Sequence, residues 1–172
     1  PLFDNGLFIM INNINNFLKS TYKISGYIAA IFLVLVMIFI LTGISSRIFG
    51  FYIRGLAEYS GYSMGASSFF ALAYTFYDKA HIRITLFIEK IESKKRRFAE
   101  IWCLSVGSFF SGFMAYYFIK MVIISIKFEE RSEGADEILI WIPQTSVAIG
   151  SLIFFICVFH HLIFSIIGKK IS

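Results

Sequence analysis

The stretch Ile28-Ala-Ala-Ile-Phe-Leu-Val-Leu-Val-Met-Ile-Phe-Ile-Leu41 contains no charged, polar or helix-breaking side chain. Extended by its mildly apolar flanks it becomes a run over 24–46, and a helix needs only about 20 such residues to cross a hydrocarbon core about 30 Å thick. A backbone in lipid has no water to bond, so it must satisfy its own N–H and C=O groups, and a run of this length reads as a membrane-spanning helix. Three further stretches, 59–77, 101–126 and 138–167, read the same way. The expectation is an all-α integral membrane protein with four transmembrane helices, forming a single membrane domain over 1–172.

Composition supports this reading. The chain is 58% hydrophobic, above the roughly 45–50% of an average soluble domain, and its mean hydropathy is +0.75. With 21 Phe and 9 Tyr against two Pro, it leaves no stretch for a separate soluble domain. The first apolar run is too long for the core of a secretory signal and no small-residue cleavage site follows it, so it is expected to remain as an anchor. Cys103 and Cys157 fall inside predicted spans without metal-ligand spacing, and are expected to pack as small apolar groups.

Outward from the first span, Leu7, Ile11, Ile14 and Leu18 recur at helical spacing among Asn12, Asn13, Asn15, Asn16 and Lys19. This predicts an amphipathic helix in the membrane interface at about 6–20. On the other side come Arg47, Gly50, Arg54, Gly55 and Glu58. One continuous helix would hold Arg47 and Glu58 roughly 16 Å apart, so their pairing requires a turn, and the two glycines allow one. If Arg54 lies on the second helix, it stands four residues from Glu58 and can pair with it. The second span carries Gly61 and Gly65, followed by Ala66, Ser67, Ser68, Ala71 and Ala73. Small residues let helix backbones approach, and in lipid close packing drives association, so this helix is expected to be buried against protein.

At 74–83 the sequence reads Tyr-Thr-Phe-Tyr-Asp-Lys-Ala-His-Ile-Arg. It reads as a charged turn that separates two helical hairpins. Beyond it, Ile84, Phe87, Ile88 and Ile91 alternate with Glu89, Lys90 and Glu92, predicting a second interfacial helix at about 82–92.

Lys19, Lys23, Lys79, Arg83, Lys90, the basic run at 94–97, Lys169 and Lys170 fall on one side of the predicted spans; Arg47, Arg54, Lys127 and Arg131 fall on the other. By the positive-inside rule both termini and the basic segment are cytoplasmic. The net charge of +5 then reflects topology and contact with anionic membrane lipid, not nucleic acid. On the opposite side, Glu129, Glu130, Glu133, Asp136 and Glu137 make the loop before the last span acidic, a candidate docking surface for a soluble protein. Trp141 suits the membrane interface, and Pro143 is tolerated in a first helical turn.

No catalytic constellation is present, and no enzyme activity or cofactor is expected. His81, His160 and His161 are the only candidate ligands for one. Their similar depth leaves open a haem b membrane anchor that uses His81 with His160 or His161, although Lys79 and Arg83 place His81 outside the apolar region. The middles of the first, third and fourth spans hold neither acid nor proline, unlike a self-contained transporter with polar groups at the midplane. Such a chain reads as support for another subunit.

Taken in order, Arg47, Gly50, Glu58, the small-residue stretch 65–73, Ala80-His81-Ile82-Arg83-Ile84-Thr85, and Trp141-Ile-Pro-Gln144 followed by Gly150 resemble the small membrane subunit (DctQ-like, or Q) of tripartite ATP-independent periplasmic (TRAP) transporters. The resemblance covers 47–161. It departs at Thr85, where the family usually has Asp, and at Tyr59 and Tyr62, which stand in place of a customary Trp. The resemblance implies a non-catalytic subunit of the bacterial inner membrane. Its partners would be a large membrane subunit (M) carrying the substrate and sodium sites, and a periplasmic binding protein (P) delivering a substrate, usually an organic acid. It also implies residue roles. Arg47 and Glu58 would tie the first two helices at the periplasmic side, and His81 and Arg83 would orient the cytoplasmic turn. Trp141 and Gln144 would fix the last helix near the P-facing surface, and the loop from Glu129 to Glu137 would help dock P.

Overall fold

The computed structural model describes the backbone of residues 2–88, 93–134 and 137–167, with side chains at 15–78, 97–134 and 137–166. It contains α1 (Leu2–Ile48), α2 (Leu56–Ile88), α3 (Ser93–Lys127) and α4 (Trp141–Ile167). The all-helical expectation is borne out.

Consecutive helices form two antiparallel hairpins. In the first, Ser25 Oγ donates to the Phe70 carbonyl at 2.6 Å and Ser67 Oγ to the Ala29 carbonyl at 2.9 Å, while Phe39 lies beside Tyr59. In the second, Gly107 faces Val158 and Gly112 faces Phe155. The hairpins join through α2 and α4, which run parallel: Gly65 faces Val147, Gly150 faces Phe69 and Cys157 reaches Ala73. Contacts of α1 with α4, and of α2 with α3, are sparse. The result is a layer in the order α1, α2, α4, α3, with the two outer helices not packed on each other.

Missing side chains set the spacing of this layer. A Cβ on Gly150 would come 2.9 Å from the Phe69 Cβ and 3.0 Å from the Phe69 backbone carbon, so α4 approaches the backbone of α2 there. A Cβ on Gly26 would come 2.7 Å from Tyr74 Cγ, and one on Gly112 2.9 Å from Phe155 Cε2. Ala66, Ala73 and Ala148 are buried along the same seams. Edge-on aromatic pairs fill the remaining width, with Phe76 and Phe154 at 5.9 Å and Phe69 and Phe118 at 5.2 Å between ring centres.

Four expectations change. The interfacial helix at about 6–20 and the first span are one helix, the 47-residue α1. No proline interrupts them, and burial of Tyr22 and Ser25 at their junction favours continuing the helix over bending it. The charged turn at 74–83 is helical: charge alone does not break a helix, and 74–83 contain neither Gly nor Pro. The second interfacial helix is likewise not separate: 82–88 continue α2, and 89–92 lie outside the described residues. The last helix starts at Trp141, three residues later than expected, because Leu139 pairs instead with Arg131.

Among the described residues three helices are long and apolar enough to cross a membrane, over Asn15–Ile48, Arg97–Lys127 and Trp141–Ile166. The 33-residue α2 has the length, but Gly, Ser and Tyr, rather than aliphatic side chains, make up much of its sequence over 59–77.

Gly150→Ala should lower the thermal stability of the purified chain in detergent by about 1–3 kcal/mol, the usual cost of overpacking. Gly61→Ala should leave it unchanged or raise it by up to about 1 kcal/mol through helix propensity, since a Cβ there meets nothing within 4 Å. A thermal-shift comparison of the two variants reads the opposite signs.

Candidate functional site: two polar ends of the helix layer

At one end, the loops of both hairpins meet the N-termini of α2 and α4. Phe51 N donates to the Ser46 carbonyl at 3.0 Å as α1 stops, and Gly50 and Gly55 adopt φ of +74° and +79°, a left-handed conformation that favours glycine. The chain therefore reverses between Arg47 and Glu58. Arg47 lies in the last turn of α1 and is exposed; Glu58 lies in the first turn of α2 and is half-buried. Each charge complements the dipole of its own helix terminus. Arg54 is exposed and precedes α2. The turn inferred from the sequence exists, and it places Arg47 and Glu58 at the same end of the layer.

The acidic loop is tied down. Glu130 N donates to the Ser125 carbonyl at 3.1 Å, and Ser125 Oγ donates to Glu130 Oε2 at 2.7 Å. Ser132 N reaches the Ile138 carbonyl at 2.8 Å and Ile140 N the Glu130 carbonyl at 3.0 Å, closing a narrow antiparallel loop. The Tyr62 hydroxyl, from α2, lies 3.0 Å from Ser132 Oγ. Glu129, Glu130, Glu133 and Glu137 are exposed, while Asp136 lies outside the described residues. Glu129 and Glu137 both take φ of +49°, a left-handed conformation that costs a non-glycine residue about 1–2 kcal/mol. Trp141 opens α4 half-buried, and its carbonyl accepts from Thr145 Oγ1 at 2.6 Å. Gln144 is half-buried, with its Oε1 enclosed and without a hydrogen-bond partner among the described residues.

At the other end, α1, α2 and α4 converge on a buried polar knot. Tyr22 is fully buried, with its hydroxyl 3.4 Å from His160 Nδ1 and its ring 5.3 Å from that of Tyr77. His161 Nδ1 lies 2.8 Å from the Cys157 carbonyl, which makes that nitrogen the N–H donor and leaves Nε2 as acceptor. The Cys157 thiol points to the Ala73 carbonyl at 3.6 Å. Phe76 meets the His161 ring edge-on at 5.2 Å, and Phe164 meets His160 at 4.8 Å. His160 Nε2 is enclosed without a partner among the described residues. Nearby, the Arg97 guanidinium donates to the Ile166 carbonyl at 3.0 Å, clasping the start of α3 to the end of α4.

Sequence reasoning anticipated His160 and His161 at this depth but missed Tyr22, Ser25 and Tyr77. Spacing offered a signal. Cys157, His160 and His161 stand at i, i+3 and i+4, one helical face, and Tyr22 and Ser25 are the polar pair three residues apart where α1 would have been cut. His81 and Arg83 lie on α2, with His81 one turn past Tyr77; their side chains fall outside those described. Of the two glycines singled out in α2, Gly65 faces α4 and Gly61 faces open space.

This arrangement positions helices. In the knot the Tyr22 hydroxyl meets a ring nitrogen and the Ser25 hydroxyl and Cys157 thiol meet carbonyls of the chain, and no group of three metal-ligating side chains occurs among the described residues. Tyr62→Phe removes the tie between α2 and the acidic loop. Cleavage by a Glu-specific protease at Glu133 should then accelerate several-fold, with only about 0.5–1.5 kcal/mol lost from global stability. Limited proteolysis beside a thermal melt checks both.

A family model described as tripartite ATP-independent periplasmic transporters, DctQ component, matches residues 35–166. No curated protein and no solved structure matches the chain.

Proposed function

The chain belongs to the DctQ component family of tripartite ATP-independent periplasmic transporters, as a small subunit of the inner membrane, and on that premise we propose that it is a non-catalytic scaffold for the large membrane subunit. The complex would carry out sodium-coupled uptake of an organic acid delivered by a periplasmic binding protein. The observation that carries this reading is the chemistry of the bundle middle. No carboxylate occurs in the sequence between Glu58 and Asp78, between Glu100 and Glu129, or after Glu137. Ser67, Ser111 and Ser151 spend their hydroxyls on carbonyls of the chain. A midplane without acids and with its hydroxyls engaged is poorly suited to bind sodium or carry a substrate, which supports placing both in the large subunit.

On this reading all four helices cross the membrane with both termini cytoplasmic. α2 tolerates its small, polar surface because α1 and α4 flank it. Arg47 and Glu58 hold the periplasmic ends of the first hairpin, Trp141 and Gln144 seat α4, and His81 and Arg83 fix α2 where it leaves the membrane. The haem b reading has the unpartnered His160 Nε2 on its side. Against it, both rings are packed among aromatic side chains, His161 on Phe76 at 5.2 Å and His160 on Phe164 at 4.8 Å between ring centres. A Soret band in the purified chain would establish that alternative.

Coexpression with the large subunit tests the scaffold. An unpaired charge close to lipid costs on the order of 2–3 kcal/mol, so Arg47→Ala should lower recovery of the complex about tenfold or more. Undiminished recovery together with wild-type transport overturns the role of Arg47. Neutralising Glu129, Glu133 and Glu137 to Gln should leave recovery intact but reduce uptake when the binding protein is limiting, measured with reconstituted complex across a range of binding-protein concentrations.

A further inference from the structure

Lys120 is the unexplained charge. It lies in the membrane-spanning part of α3, seven residues before Lys127, on an exposed face. An ionisable residue inside a span normally turns inward or finds a partner. The contact that Lys120 makes is with the neighbouring Tyr117 ring, 6.0 Å from Nζ to the ring centre.

Beside it an open apolar groove of about 480 Å³ runs between α3 and α4, with Gly112 as its floor and Phe109, Phe113, Tyr116, Phe155 and Phe159 as its walls. This falls within the roughly 300–1,000 Å³ of ligand clefts. Phe109, Phe113, Tyr116 and Lys120 follow one another at spacings of four, three and four, which places them on one stripe of α3. Tyr117 packs on Phe113 at 4.6 Å between ring centres and so links the cation to the groove wall.

We propose that this groove is a phospholipid site, with an acyl chain laid along Phe113, Tyr116 and Phe159 and the phosphate paired with Lys120. Depth carries the argument. From Phe109 to Lys120 the helix rises about 16 Å, close to one leaflet's share of a core about 30 Å thick. The cation sits at the end of the stripe nearer the membrane surface, with about 10 Å of helix remaining to Lys127, and its flexible four-carbon stem carries the ammonium farther toward the headgroups. A charge above an apolar trough one leaflet deep matches a phosphate above an acyl chain. An acidic transmembrane helix of the large subunit is the competing occupant.

The test uses the full chain in nanodiscs of phosphatidylethanolamine and phosphatidylglycerol, doped with phosphatidylglycerol that bears a mid-chain diazirine. After illumination, labelled peptides are mapped for the chain alone and for its complex with the large subunit. Adducts should concentrate on 108–116 and 155–159, at least threefold above the equally exposed aliphatic face of α1 around Ile31 and Leu41. Lys120→Gln should reduce groove labelling several-fold, and Lys120→Arg should retain it, with thermal melts confirming that both variants fold. Labelling spread evenly over α1 and the groove overturns the proposal, as does labelling unchanged in Lys120→Gln. Loss of groove labelling in the complex, with Lys120→Gln weakening recovery of the large subunit, assigns the groove to an acidic helix instead.

Discussion

The close approach of α4 to the backbone of α2 at Gly150 is the contact on which the rest of the layer depends. Lipid tails are as apolar as leucine, so helices in a membrane gain little by hiding aliphatic surface and must gain by packing closely. At Gly150 the Phe69 and Phe70 backbone stands where a side chain would be. That one omission seats the parallel pair in register, so that Cys157 falls opposite Ala73 and His161 beside Phe76 and Tyr77. Each hairpin then adds its second helix by the same device, α1 at Gly26 and α3 at Gly112.

The two polar ends follow from this register. Because α2 and α4 are parallel, their N-termini share one end, and the α3–α4 loop falls within reach of Tyr62 on α2. Their C-terminal halves share the other end, where α1 brings Tyr22 to His160. A buried polar group is tolerable only when it is hydrogen-bonded. The knot largely meets that condition, with the Cys157 thiol, His161 Nδ1 and the Ser25 hydroxyl all directed at carbonyls. Among the described residues its exception is His160 Nε2.

Much of the architecture was legible in the sequence: the all-helical class, three of the four apolar spans, the reversal at Gly50 and Gly55, and the family. What misled was charge read as a break. Asp78, Lys79, His81 and Arg83 end the apolar run of α2, but charged side chains leave the backbone hydrogen bonds of a helix intact, and α2 runs on to Ile88. The change from an amphipathic to a uniformly apolar pattern likewise separated 6–20 from the first span, although a change of pattern does not end a helix either. GxxxG spacing also named the wrong emphasis in α2, since spacing does not report which side faces a partner. Gly61 meets open space, while the closest approaches occur at isolated glycines whose partners are far away in sequence. The polar knot was legible only in part, because its members come from three helices: Cys157, His160 and His161 share a face of α4, and Tyr22 and Ser25 one of α1, but no spacing joins those faces to each other.

The edges of the layer are unlike each other, and that difference bears on how the subunit is oriented in a complex. The exposed side of α1 carries Ile24, Tyr27, Ile31, Val34, Ile38 and Leu41, a nearly pure aliphatic stripe that needs nothing but hydrocarbon. The exposed side of α3 carries Phe109, Phe113 and Tyr116 beside an open groove, and then Lys120. Aromatic rings and a cation at membrane depth bind anionic or π-bearing groups more selectively than aliphatic carbon does. On the lipid-site proposal selective contacts belong to the α3 edge, while the aliphatic stripe of α1 requires only hydrocarbon. α2, whose surface is least suited to lipid, is shielded on both flanks, and so the order α1, α2, α4, α3 protects the least apolar helix while presenting one edge fit for specific contact.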